Sequence, residues 1–432
     1  MNHHPIRNTL FKKNRERLRS ELKPNSVAIV NANDLPPANA DAVMRMHPNS
    51  DLFYLSGVEQ EESVLMIAPD ASKESMREIL FLRQPNPHLK IWEGEKHSKE
   101  AATNISGITE VRWLSELPSI LRMVVCESEH IYLNTNEHSR AVVDVQSRDA
   151  RFIEEMQSLY PLHKYDRLAP ILHRLRQIKS EQEVELIRTA CDVTRDAFIR
   201  ILNKTRPGIK EYEIEAEYAH EFIRKRCKFA YNPIVASGED SCVLHYIENK
   251  KTCRRGDVLL MDVGACYANY NADMTRTIPV SGKFTRRQKQ VYNAVLRVLR
   301  QMIESATVGI QHSEWQKESE LLMNEELLEL GLISKAAVKR ETPEKRACRK
   351  YYMHGLGHPL GLDVHDVHTS NPRFEDGWVL TVEPGIYIPE ESFGIRLENN
   401  VLVTENGPVD LMADIPVEAD EIEALMQKKR KR

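Results

Sequence analysis

The chain has 432 residues, 41% of them hydrophobic and 29% charged, which is enough apolar material for two or three buried cores and excludes a disordered chain. Sixty Lys and Arg stand against 64 Asp and Glu, a formal net charge of -4, so there is no basic excess to hold nucleic acid by counterion release. No apolar run reaches the ~18 residues of a membrane span, the N-terminus lacks a signal-peptide pattern, and the seven cysteines show no CxxC pair; a soluble, cytoplasmic protein with reduced thiols, bound to neither nucleic acid nor membrane, is expected.

Taken in chain order, residues 11–22 read as an amphipathic helix, followed by a buried strand at SVAIVNAN (26–33). LFYLSG (52–57), SVLMIAPD (63–70) and EILFLRQ (78–84) look like further strands, and IYLN (131–134) opens a parallel one. A helix over 150–158 and a Pro-containing connection at 161–170 close this α/β part. Beyond it, 175–208 has helical spacing with Ser180 as a cap before Glu183, and Pro207 and Gly208 stop it. Helices at 211–227, 285–305 and 313–331 follow, then a Gly-rich run and strands ending near Met412. The pattern puts a domain border near residue 170, giving domains 1–170 and 171–432, and the C-terminal KKRKR reads as a solvated tail.

Three segments carry chemistry. DVLLMDVGACYANYNADMTRTIPV (257–280) predicts a hairpin centred between Tyr267 and Ala268, which sets Asp262 opposite Asp273, or diagonal to it if the turn shifts by two. VLTVEPGIYIPEESFGIRLENNVLV (379–403) predicts a second hairpin, with Glu383 and Glu398 symmetric about Glu390 and Glu391. Between them, YMHGLGHPLGLDVHDVH (352–368) spaces His354 and His358 as on a zinc helix, yet Gly355, Gly357, Pro359 and Gly361 argue for a loop or strand instead. One Asp at a strand end is ordinarily a turn or cap residue, and His245 in the apolar stretch CVLHYIEN is ordinarily a hydrogen-bonded core side chain. Four carboxylates in two apolar hairpins reverse that weighing, because buried like charges need protons or cations. Four carboxylates and one imidazole suit two divalent ions, with Mn²⁺ or another hard ion favoured and a bridging hydroxide as nucleophile.

Together, LRQIKSEQEVELIRTA, ASGEDSCVLHYIEN, LLMDVGACYANYNADMTRTIPV, MHGLGHPLGLDVHDV, VLTVEPGIYI and GIRLENNVLVT resemble the creatinase and aminopeptidase family with the pita-bread fold, most closely its aminopeptidase P branch. NSDLFYLSG (49–57) and IWEG (91–94) resemble that branch's smaller N-terminal domain, although His47 and Pro48 stand where an Arg is usual and Glu95 and Lys96 follow IWEG. The resemblance implies a mixed α/β chain, with a creatinase-like N-terminal domain ahead of a pita-bread catalytic domain. It implies Asp262, Asp273, His358, Glu383 and Glu398 as ligands of two divalent ions, Asp273 and Glu398 bridging; Mn²⁺ comes first, with Co²⁺, Zn²⁺ or Fe²⁺ as alternatives. It chooses His358 over His354 as the ligand and puts His245, His354 and His365 on the substrate side. Tyr387 and Arg396 are implied beside the site, and Trp92 as a substrate contact in a neighbouring protomer of a homodimer or homotetramer. The implied reaction is hydrolysis of the bond before a proline in second position, with Glu383 moving the proton. A prolidase acting on dipeptides, and a metal-free binding protein on the same fold, are the alternatives.

Overall fold

A computed structural model describes residues 3–44, 47–141, 144–342, 345–370 and 372–427. The KKRKR tail lies outside the described residues. The chain divides between Arg176 and Gln177 into two compact units.

Among the described residues, the N-terminal unit is built on a mixed six-stranded sheet in the order Glu110–Trp113, Glu78–Leu82, Val64–Ile67, Ser26–Asn31, His130–Leu133, Lys164–Arg167. His130–Leu133 does pair in parallel with Ser26–Asn31. Val27, Ile29, Val64, Met66, Ile79 and Phe81 share a core with Ile120 and Val124 of helix Leu117–Glu127 and Met156 of helix Arg148–Leu159. Alternation along each strand sends these residues to one face.

Two expectations fail here. LFYLSG is not a strand but the body of helix Ser50–Ser56, since Asn49 caps it by accepting from the amides of Asp51 and Leu52, and Gly57 ends it at φ 69°. An unbroken apolar run suits a buried helix or a buried strand equally, and the capping residues decide. The connection at 161–170 also holds a strand, Lys164–Arg167, whose polar KYDR sequence at the sheet edge carries no apolar signature.

In the C-terminal unit, helix Glu181–Lys204 begins at a capping box between Ser180 and Glu183 and ends just before Pro207 and Gly208. Helices Glu211–Arg224, Arg286–Glu304 and His312–Glu329 match the predicted ones within a few residues, whereas helix Ala419–Gln427 was not anticipated. The hairpins make up small antiparallel sheets. One orders Thr275–Pro279, Val258–Asp262 and Ile234–Ser237; a second orders Tyr270–Asn271, Ala265–Tyr267 and Lys228–Phe229. A third orders Val379–Val382, Asn399–Leu402 and Val409–Asp410, and Gly385–Ile388 pairs with Phe393–Arg396. Each hairpin is therefore split into an inner and an outer ladder, and the carboxylates stand at or beside the split. No helix among the described residues is long and apolar enough to cross a membrane.

Candidate active site

In the first hairpin, Tyr267 pairs with Tyr270 across a two-residue turn, Ala268 and Asn269, which both have positive φ (50° and 65°). Such a turn matches the right-handed twist of the strands. The register therefore differs from the symmetric one: Asp262 faces Thr275, and Asp273 lies on the diagonal two residues before it. Ordered pairing lapses between Ala265–Tyr267 and Val258–Asp262, where Gly264 is so close to the facing strand that a Cβ on it would sit 1.8 Å from the Ala272 carbonyl oxygen.

The second hairpin keeps the expected register. Val382 pairs with Asn399 and Gly385 with Arg396, so Glu383 and Glu398 face each other at the split. The histidine segment is, as expected, no helix: it runs beside the strand that leads into Glu383. The Thr381 amide donates to the His358 carbonyl (2.9 Å), the Glu383 amide donates to the Leu356 carbonyl (2.7 Å), and Thr381 Oγ1 accepts from the His358 amide (3.0 Å). Gly357 permits this approach, since a Cβ there would lie 2.0 Å from the Thr381 carbonyl oxygen.

These local geometries bring the five residues together. Oxygen or nitrogen atoms of Asp273, His358 and Glu398 lie within 4.8 Å of one another, and His358 Nε2 is 3.5 Å from Asp273 Oδ2 and 3.8 Å from Glu383 Oε1. His358 Nδ1–H donates to the Pro359 carbonyl at 3.0 Å, which leaves Nε2 facing Asp273 and Glu383. Tyr231 O–H contacts both Asp262 Oδ1 and Asp273 Oδ1 at 2.5 Å. Arg396 Nη2 donates to Asp262 Oδ2 (2.7 Å), and Thr275 O–H to Glu398 Oε2 (2.7 Å). Asn400 fixes the Asp273 backbone, donating to its carbonyl and accepting from its amide.

Crowding shows in the acidities. Burial pushes Glu383 up to about 7, against the pull of His358 and Arg396. Burial raises Glu398 well above the carboxylate range, reinforced by Asp273, Glu383 and Asp262. Asp262 is raised by burial and by Asp273, with Arg396 opposing. Burial works against charge on His358, but Asp273 and Glu383 outweigh it and its pKa rises.

This donor set fits divalent cations. Ligands about 2.1 Å from one ion stand about 3–4 Å apart, the spacing between His358 Nε2 and its two carboxylate neighbours, and oxygen-rich ligation suits hard ions. Among the described residues, the donor atoms of Asp273, His358 and Glu398 lie close enough together to hold a metal ion.

His354, Tyr387, Arg396 and His365 adjoin this centre. His354 Nδ1–H donates to the Gly355 carbonyl (2.8 Å), so its Nε2 accepts from Tyr387 O–H (2.7 Å), and Arg396 Nη1 donates to the Tyr387 oxygen (3.0 Å). Burial lowers the His354 pKa to about 3 and keeps the ring neutral. Tyr387 and Arg396 are themselves buried, and beyond their mutual contact Tyr387 meets His354 while Arg396 meets Asp262 and Thr275. The His365 ring stacks on His358 with centroids 3.8 Å apart. His245 is not in a strand: it is exposed, in a turn after the 3₁₀ helix Gly238–Cys242, where a φ of 58° at Gly238 ends strand Ile234–Ser237. It is near enough to His354 for its charge to oppose protonation there. Trp92 is exposed on helix Pro87–Glu93 of the N-terminal unit. Sequence reasoning missed Tyr231, because the chain bend that delivers it carries no pattern of its own.

Comparison with known proteins follows the same division. Residues 185–405 match the model of metallopeptidase family M24, and residues 11–132 match the aminopeptidase P N-terminal domain. The chain is 35% identical to the Xaa-Pro aminopeptidase of Escherichia coli strain K12 over 98% of each chain, and 30% identical to human Xaa-Pro aminopeptidase 3 over 91% of this chain and 78% of that one. Among solved structures, zinc-substituted E. coli aminopeptidase P in complex with product superposes with a TM-score of 0.87 at 33% identity, covering 99% of this chain and all of that one. An aminopeptidase from Pseudomonas aeruginosa gives a TM-score of 0.89 at 29% identity, with 99% and 100% covered.

Proposed function

The chain belongs to metallopeptidase family M24, with an aminopeptidase P N-terminal domain ahead of a pita-bread catalytic domain, and from that premise we propose that it is an Xaa-Pro aminopeptidase. It removes the first residue of peptides with proline in second position. The observation that carries this reading is the convergence of Asp273, His358 and Glu398 beside Glu383 at the splits of two hairpins, in a chain whose relatives of near-equal length are Xaa-Pro aminopeptidases. A prolidase reading is not favoured by those relatives.

The proposed ligands are Asp262, Asp273, His358, Glu383 and Glu398, which would hold two divalent ions, and Mn²⁺ is favoured by the four carboxylates. When bound, the ions would supply Lewis acidity and an activated water. Glu383, beside His358, would take a proton from the attacking water and pass it to the proline nitrogen as the scissile C–N bond breaks. That nitrogen carries no N–H in the peptide, so a site that reads the ring rather than a donor selects proline. Arg396 orients Tyr387, and Tyr387 orients His354, so both act on substrate through that imidazole. His245 and His365 line the substrate side, where imidazole donors steady charge that develops on the scissile carbonyl oxygen. A cytoplasmic homodimer or homotetramer completes the reading, with the exposed Trp92 offered to substrate in a neighbouring copy.

Substrate length tests it. Mn²⁺-loaded protein is expected to release the free first residue from an Xaa-Pro-Xaa tripeptide. Release confined to an Xaa-Pro dipeptide would make the protein a prolidase, and release from neither would refute the reading.

A further inference from the structure

Lys179 and Asp366 form an ion pair that water does not reach: the Lys179 ammonium donates to Asp366 Oδ2 at 2.9 Å, and both side chains are only 1% exposed. Two desolvated charges stabilise a fold little better than an apolar pair of equal volume. Their place explains more than their energy does.

Asp366 follows His365 directly, and its amide donates to the Pro359 carbonyl at 2.9 Å, closing the loop that begins at His358. The same carbonyl oxygen accepts from His358 Nδ1 at 3.0 Å. One acceptor thus holds the turn that stacks His365 on His358 and also sets the ring face that turns Nε2 toward Asp273. The Asp366 carboxylate pins the end of this loop, accepting from the Val367 amide on Oδ1 and from Lys179 on Oδ2. Lys179 is anchored in turn, its amide donating to the Gly377 carbonyl at 2.9 Å, one residue before the cap of helix Glu181–Lys204. Gly361 leaves room for the pair, since a Cβ there would meet Asp366 Oδ2 at 2.1 Å and Lys179 Cε at 2.9 Å. From the other side Asn271, two residues before Asp273, donates through Nδ2 to the carbonyls of Gly361 and Leu362.

We propose that Lys179, acting through Asp366, is a positioning residue that fixes His358 and His365 against Asp273. Lys179 is not among the proposed ligands, and its ammonium meets Asp366. The kinetic part of its test rests on the aminopeptidase reading, and the metal-binding part does not.

The test compares Lys179→Met/Asp366→Asn, which removes both charges with little change of shape, with wild-type protein. Readouts are thermal melting, calorimetric titration with Mn²⁺ alone, and kcat and KM on an Xaa-Pro-Xaa tripeptide. The double variant should melt near the wild-type temperature, bind Mn²⁺ about 10–100-fold more weakly and lose a comparable factor in kcat, with KM little changed. Wild-type Mn²⁺ affinity and kcat in the folded double variant would overturn the proposal. If that variant does not fold, Lys179→Arg decides: near-wild-type Mn²⁺ affinity with the charge kept supports the tether, and a loss of about tenfold or more overturns it. Wild-type protein that binds Mn²⁺ but cleaves no tripeptide would refute the aminopeptidase reading alone, and the Mn²⁺ titration would still decide the role of Lys179.

Discussion

Glu383→Gln is expected to lower kcat on an Xaa-Pro-Xaa tripeptide by about 10²–10⁴-fold, the range associated with losing a positioned acid–base group. The amide keeps the shape of the side chain but can neither take up and release a proton nor bind a divalent ion as a carboxylate does. It also removes one negative charge from a cluster in which Asp273 and Asp262 already oppose ionisation of Glu383. Melting temperature measured without added metal should therefore stay the same or rise, since relief of like-charge repulsion favours the folded state. Steady-state kinetics and melting on the same preparation check both halves. Retained turnover would take Glu383 out of the mechanism, and a collapse of stability would mean that its part is structural.

Gly264→Ala should do the most damage for the smallest change. Its Cβ would fall 1.8 Å from the Ala272 carbonyl oxygen and 3.2 Å from the Asp273 amide nitrogen, and backbone cannot swing aside as a side chain can. The facing strand must move, and it carries Asp273 away from Asp262. A cost of about 3 kcal/mol in stability is expected, at the upper end for overpacking, together with weakened Mn²⁺ binding. Gly355→Ala is the control: its nearest neighbour would be Gln316 Oε1 at 3.4 Å, an ordinary contact. Urea unfolding and Mn²⁺ titration of both variants test the contrast, and equal behaviour would remove the close approach from the account.

How much of this was legible in the sequence depends on where the deciding contact lies. Glu383 and Glu398 could be paired by counting, because the four residues between Ile388 and Phe393 close the hairpin symmetrically about Glu390 and Glu391. Asp262 and Asp273 could be found with two registers left open, and the turn on Ala268 and Asn269 selects the one shifted by two, with Thr275 opposite Asp262. The glycines of the histidine segment correctly excluded a helix; their closer purpose, backbone against backbone at Gly357 and Thr381, is a tertiary fact. Tyr231 and Asn400 meet Asp273, and Lys179 meets Asp366, across long separations in sequence, so no local pattern marks these contacts. LFYLSG was misread for the opposite reason: its apolar run was ambiguous, while Asn49 and Gly57 held the answer.

The central claim is that two divalent ions at Asp262, Asp273, His358, Glu383 and Glu398 support Xaa-Pro cleavage. The most direct measurement strips the protein of metal and titrates Mn²⁺ back while following release of the first residue from an Xaa-Pro-Xaa tripeptide. The account predicts no turnover in the stripped protein and activity that rises with Mn²⁺ until the carboxylate and imidazole ligands are filled. Full turnover in the stripped protein, or none at any Mn²⁺ concentration, would contradict it.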